Sequence, residues 1–209
     1  MYTIAMQQPL RYRFSLDKFM AVLGHLVGEC GPMTKLKIVK LLYLLDRRHF
    51  NLHGRPILGD RYLRMDFGPV PSISKDLIDF LEEKISSRVK PVAEGRVLAE
   101  HFKARRSGAH HAIELVKAPS SDVLSESEVE ALRWVVTNFG TLSASNLVDI
   151  THRHATWKET PSMSEIDYRL FPKGDPEATQ NIVEIAAVDQ EERGELMEAL
   201  SLDAPASRA

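Results

Sequence analysis

The 209-residue sequence predicts a mainly helical domain with minor β structure, α+β in class, and three observations carry that expectation. Two long segments near the N-terminus hold apolar residues at helical spacing, a capping box opens another helix further on, and two short stretches between them are patterned as strands. With 44% of residues hydrophobic, one sizeable core is expected: residues 1–14 as an N-terminal extension, 15–200 as the domain and 201–209 as a disordered tail.

After Ser15, which reads as an N-cap, Leu16, Phe19, Met20, Leu23, Leu26, Val27 and Cys30 follow at helical spacing until Gly31-Pro32 ends the run. The second helix spans about Thr34 to Leu52 and stops at Gly54-x-Pro56; apolar residues cover most of its circumference, which marks it as the central, buried helix. Tyr62 to Phe67 alternates as a short strand, and Gly68-Pro69-Val70-Pro71 reads as a hinge-like turn into a third helix with Ile73, Leu77, Phe80, Leu81 and Ile85. Val97 to Val116 is rich in β formers on both sides of Arg105-Arg106-Ser107-Gly108, predicting a hairpin with an exposed basic tip. Ser125-x-x-Glu128 forms a capping box for a helix reaching Gly140, Ser143 caps a helix through Leu147 and Ile150, and Asp175-Pro176-Glu177 is expected to start the last helix.

No window approaches the roughly 18 consecutive apolar residues of a membrane-spanning helix, and Met1 to Arg13 lacks the pattern of an export signal, so a cytoplasmic protein without a membrane partner is expected. The single cysteine, Cys30, cannot form an internal disulfide and is expected as a buried thiol. The net charge of -2 hides an asymmetry: Thr34 to Arg64 carries eight Lys/Arg against two acids, whereas Asp175 to Ala209 carries nine acids against two arginines. Such segments can dock partners of opposite charge or lie against each other.

Projected as a helix, the second segment puts Lys37, Lys40, Arg47, Arg48 and Asn51 on one side and Ile38, Val39, Leu42, Asp46, His49 and His53 on the other. The spacing of Asp46, His49 and His53 suits a divalent metal or a carboxylate-oriented imidazole, and it suits equally a hydrogen-bonded network beneath the surface. No cofactor or metal is therefore assigned. His152 and His154, two apart with no cysteine nearby, are read as a solvated face. The sequence offers no serine elbow, paired Cys/His or Gly-rich phosphate loop, so no enzyme is expected. The basic face of the second helix and the Arg105-Arg106 tip give an alternative reading, a DNA-binding regulator of its own operon, although no recognition-helix signature accompanies them.

Lys37-Ile38-Val39-Lys40-Leu41-Leu42-Tyr43, then His49, Gly54-Arg55-Pro56-Ile57, Tyr62 and Phe67-Gly68-Pro69-Val70 stand in the order that resembles the Panacea, or SocA-like, antitoxin family, once grouped with phage-associated proteins. Leu147 to Trp157, with Thr151-His152 and Trp157, is similar to the family's second motif. The resemblance implies an antitoxin that binds and neutralises a cognate protein toxin, and in some members an adaptor that delivers the toxin to a Clp-type AAA+ protease. The oligomeric state, a homodimer included, stays open. On this reading Tyr43, Asp46 and His49 brace the strand and turn from below, while Tyr62, Arg64, Phe67 and Val70 lie at or near the toxin surface; the alternative is that all of them are core. Ser201 to Ala209 has the small, polar character that an AAA+ unfoldase can engage, and the first thirteen residues and acidic last helix depart from the family pattern.

Overall fold

The computed structural model describes residues 10–83 and 92–202. Helix α1 (Leu16–Cys30) opens on Ser15, whose hydroxyl accepts from Lys18 N, and is followed by the two-residue strand β1 (Met33–Thr34). Helix α2 (Lys35–His53) is capped by Thr34 and closed by Gly54 in the left-handed conformation, φ 71°. A hairpin of β2 (Tyr62–Met65) and β3 (Gly68–Pro71) leads to α3 (Ser72–Leu81). Then come α4 (Val92–His101), the hairpin β4 (Phe102–Ser107) and β5 (His110–Leu115), α5 (Glu126–Phe139), α6 (Ala144–Thr151), the short α7 (Ala155–Lys158), a 3-10 turn (Tyr168–Leu170) and α8 (Ile182–Leu202). β1, β5 and β4 form one antiparallel sheet and β2 with β3 another.

Twelve of the nineteen residues of α2 are buried, and α3, α5, α6, α8 and strands β1, β3 and β5 all pack on it, as its all-round apolar character predicts. The capping box at Ser125 and Glu128 is present, as is the Ser143 cap of α6.

The structure corrects three expectations. Gly68–Pro71 is a strand, not a hinge-like turn, with Leu63 opposite Val70 and Arg64 opposite Pro69. The backbone of β2 explains how two prolines fit there. Arg64 N donates to Ser164 O, and Met163 N and Ile166 N donate to the carbonyls of Arg64 and Tyr62. Arg64 and Tyr62 thus turn their backbone groups away from β3, and Pro69 and Pro71 occupy positions where no N–H is required. Residues 97–101 are helical: Leu98, Ala99 and Glu100 join Ala93, Glu94 and Arg96 as good helix formers that, with Leu98 fully buried, outweigh Gly95 and Val97. The last helix starts at Ile182: Asp175 is held by Asn51 and Arg47 and accepts from Glu177 N in a local turn. Residues 10–14, assigned to the extension, are packed as a strap, with Tyr12 edge-on to Phe50 and Tyr168 and Phe14 against Phe19. Ile85 and residues 203–209, including most of the tail segment, lie outside the described residues.

The basic side of α2 is occupied from within. Lys35 pairs with Asp79 and Glu82, Lys37 Nζ donates to Gly140 O (2.6 Å), Arg47 pairs with Asp175 (2.9 Å) and Arg48 with Glu177. The basic and acidic segments of the sequence therefore meet, in part, each other.

Lys40 is fully buried, and its Nζ donates to Pro69 O (2.7 Å) with no carboxylate partner among the described residues. Gly68, at φ 100°, has no room for a side chain: a Cβ would stand 2.7 Å from Thr151 Oγ1 and 3.1 Å from Lys40 Nζ. Lys40 and Gly68 together seat the start of β3 on α2.

Burial brings Lys40 down from its ordinary 10.5 to about 7. Between those values the unfolded chain holds the proton and the folded chain does not, so stability rises with pH across that window. Urea unfolding is expected to show stability rising from about pH 7 to about pH 9 by up to about 2 kcal/mol, and the rise is expected to vanish in Lys40→Met. An equal slope in both proteins would contradict this account of Lys40.

Candidate functional site

The polar residues of α2 that face inward converge on the loop and hairpin that follow the helix. Asp46 is fully buried; its Oδ1 accepts from Ile57 N and Leu58 N (both 2.9 Å) and its Oδ2 from the Tyr62 hydroxyl (3.0 Å). Burial raises its carboxyl to about 7 against the opposing pull of those hydrogen bonds. His49 Nδ1 lies 2.8 Å from Arg55 O and Nε2 3.2 Å from Ser127 Oγ, and burial lowers its pKa to about 4. A neutral ring donating from Nδ1 to the carbonyl satisfies both contacts. The Tyr43 hydroxyl is shared between His154 Nδ1 (3.0 Å) and Thr156 Oγ1 (2.6 Å), and His154 is likewise lowered to about 4 by burial.

These side chains do not converge on a common point where a metal or substrate would sit. The Asp46 carboxylate is spent on the 57–58 backbone and Tyr62, His49 on the 55 carbonyl and α5, while His53 is exposed beside the His49 ring at 4.6 Å. Among the described residues, no group of three or more His, Cys, Asp or Glu side chains is placed to hold a metal ion. The hydrogen-bonded network is the reading of Asp46 and His49 that the geometry fits.

A second acid, Asp60, carries no local signal in the sequence, because its partners are mostly thirteen or fourteen residues away. Its Oδ1 accepts from Ile73 N (3.0 Å), and its Oδ2 from Ser74 N (2.8 Å) and the Ser74 hydroxyl (2.7 Å), so it caps α3 from outside. Tyr168, also unanticipated, donates to Asp60 O (2.6 Å). Around this clamp stands an aromatic cluster in which the Phe171 ring lies 4.5 Å from Tyr168, 5.6 Å from Tyr43 and 5.7 Å from both Phe50 and Tyr62.

Of the four residues placed at or near the surface on sequence grounds, Tyr62 and Val70 are buried, at 0% and 8% exposure. Tyr62 lies over Asp46 and donates to it, which requires an inward position. Arg64 is half-buried: its Nε donates to Trp157 O (2.9 Å) and its guanidinium covers the Trp157 ring at 4.5 Å. Trp157 returns a hydrogen bond from Nε1 to Met65 O (3.0 Å), and its ring stacks on His152 at 4.0 Å and 21°. His152 and His154, expected on a solvated face, are thus packed, one against Trp157 and the other against Tyr43. Phe67 is 66% exposed at the β2–β3 turn, and Met163, which pairs with Arg64 through its backbone, is 64% exposed at the same end of the hairpin.

The site is thus an outward apolar pair, Phe67 and Met163, mounted on a layered stack of Arg64, Trp157 and His152. Rigid aromatic and guanidinium groups beside exposed apolar side chains are of the kind that anchor protein–protein contacts. Met163 has no signal in the sequence because its place depends on the pairing of its segment with β2 through the Leu63–Glu165 bridge and the Met163 N to Arg64 O bond, between residues about a hundred positions apart in the chain.

A family model described as antitoxin SocA-like, Panacea domain, matches residues 38–158, from the first turn of α2 to the end of α7. Comparisons with curated proteins and with solved structures found no match. No described helix is long and apolar enough to cross a membrane. The family description supports an antitoxin-type role with a protein partner, and a non-enzymatic one. The match covers more than half of the sequence, and the chain belongs to the SocA-like Panacea antitoxin family.

Proposed function

We propose that this chain neutralises a cognate protein toxin by binding it at the turn end of the β2–β3 hairpin, with Phe67 and Met163 as the apolar contacts and the Arg64–Trp157–His152 stack as their rigid support. The observation that carries this reading is the exposure of Phe67, at 66%, in a motif region where Tyr43, Asp46, Tyr62 and Val70 are all buried. A large apolar side chain held out from a pinned hairpin loses little conformational freedom on association, which favours its use as an anchor. Tyr43, Asp46 and His49 act beneath it as positioning residues. The adaptor role of some family members extends the proposal to delivery of the bound toxin to a Clp-type AAA+ protease, and the small, polar character of Ser201 to Ala209 makes the tail the segment proposed for engagement. The DNA-binding alternative gains no support from α2, whose cationic side chains are occupied within the fold.

Co-expression with the product of the adjacent open reading frame tests the reading: growth rescue with a co-purifying complex supports neutralisation by binding, and rescue with disappearance of the neighbour supports degradation. A neighbour that is neither toxic nor co-purified overturns the proposal. At residue level, Phe67→Asp and Met163→Asp are each expected to weaken the complex about tenfold or more while changing stability by less than about 0.5 kcal/mol. Tyr62→Ala is expected instead to cost roughly 3 kcal/mol or more of stability, since it empties an aromatic site and leaves Asp46 Oδ2 without its hydroxyl donor. Affinity unchanged in both aspartate variants, measured by titration of the purified partners, would remove this surface from consideration.

A further inference from the structure

We propose that the groove between the N-terminal strap, the 55–59 loop and α8 binds a small phosphoryl-bearing anion. The groove has a volume of about 360 Å³ and continues into a recess of about 240 Å³ that shares Arg55, Asp189 and Arg193 with it. It lies largely on segments outside the 38–158 match, so it does not follow from family membership, and it is independent of the toxin surface.

The strap builds the cationic wall. Tyr12 and Phe14 turn inward onto aromatic neighbours, so the alternation of an extended chain leaves Arg11 and Arg13 facing out on the same side. The backbone that carries them is fixed at both ends: Gln190 Oε1 accepts from Arg11 N (3.3 Å) while Gln190 Nε2 donates to Arg11 O, the Tyr12 hydroxyl donates to Gly54 O (3.0 Å), and Ser15 N donates to Leu58 O (3.0 Å). Gly59, at φ 68°, lets the Arg13 carbonyl approach where any Cβ would collide with it. The arginines therefore project from a positioned backbone and not from a loose end.

The charges of the groove are unbalanced. Lys18 is paired with Glu128 (2.6 Å) and Arg193 with Asp189 (2.9 Å), whereas Arg11, Arg13 and Arg55 have no carboxylate partner among the described residues. Five cationic side chains against two carboxylates leave three positive charges around one concavity, in a chain whose net charge is -2. Guanidinium forks match the oxygens of a phosphoryl group, and a group bearing two or more negative charges balances this lining better than a single carboxylate. An extended nucleic acid is disfavoured, because α8 beside the groove exposes Glu184, Glu191, Glu192 and Glu195, which repel a polyanion running past it. A compact anion meets the arginines without meeting those acids.

Calorimetric titration of the full chain with pyrophosphate and with inorganic phosphate, at constant ionic strength set with sodium chloride, tests the assignment. Saturable one-to-one binding of pyrophosphate is expected, weakened about tenfold or more in the double variant Arg13→Gln, Arg55→Gln and also in Arg11→Gln, and altered by less than about twofold in a control that removes two exposed charges elsewhere, Arg106→Gln with Lys117→Gln. Exposed arginine substitutions leave the thermal midpoint essentially in place, which separates lost binding from lost folding. The absence of saturable binding by either probe, an equal loss in the control, or tighter binding of a tetraglutamate peptide than of pyrophosphate would each overturn the assignment.

Discussion

The buried carboxylate of Asp46 is the interaction on which the rest of the arrangement depends. It takes two backbone donors from the 57–58 loop and the hydroxyl of Tyr62, and so ties the C-terminal half of α2 to the start of β2. A carboxylate removed from water tolerates that position only with its lone pairs occupied, so the loop must hold one conformation for the helix to bury this residue at all. Asp60 repeats the device one step later, joining the same loop to the first turn of α3. Together these two acids fix the loop between α2 and β2 through side-chain hydrogen bonds, where regular structure is lacking.

This explains the division of labour around the hairpin. Lys40 and Gly68 seat β3 on α2, Tyr62 is drawn in over Asp46, and Arg64 is drawn sideways onto Trp157. What remains outside is the turn end, with Phe67 and Met163 both exposed. The basic residues that give the sequence its polarity are mostly occupied within the fold, Arg47 by Asp175 and Arg48 by Glu177, which leaves the strap and Arg55 as a place where positive charge is concentrated without acidic partners among the described residues.

Much of the helical frame was legible in the sequence because its signals are local. Ser15, Thr34, Ser125 and Ser143 all act as N-caps or begin at helix starts, and the apolar circumference of α2 announced its central place. What the sequence concealed depends on distant partners. Gly-Pro-Val-Pro reads as a turn until the pairing of β2 with residues 163–166 makes its prolines acceptable in a strand. Lys40 reads as part of a solvated basic face until β3 covers it, and Tyr62 reads as a surface aromatic until Asp46 is seen to hold its hydroxyl. The motif residues carry the family resemblance; which of them face outward is a question of packing, and among the large apolar ones Phe67 is the one that stands clear.

The central claim is that α2 is a scaffold and that the hairpin end is the contact surface. Hydrogen–deuterium exchange of the chain, alone and bound to the product of the neighbouring gene, tests it most directly. The account predicts slow exchange along α2 in both states, with new protection confined to the segments around residues 64–67 and 157–164 on binding. Protection gained elsewhere, with the hairpin end exchanging as before, would contradict it.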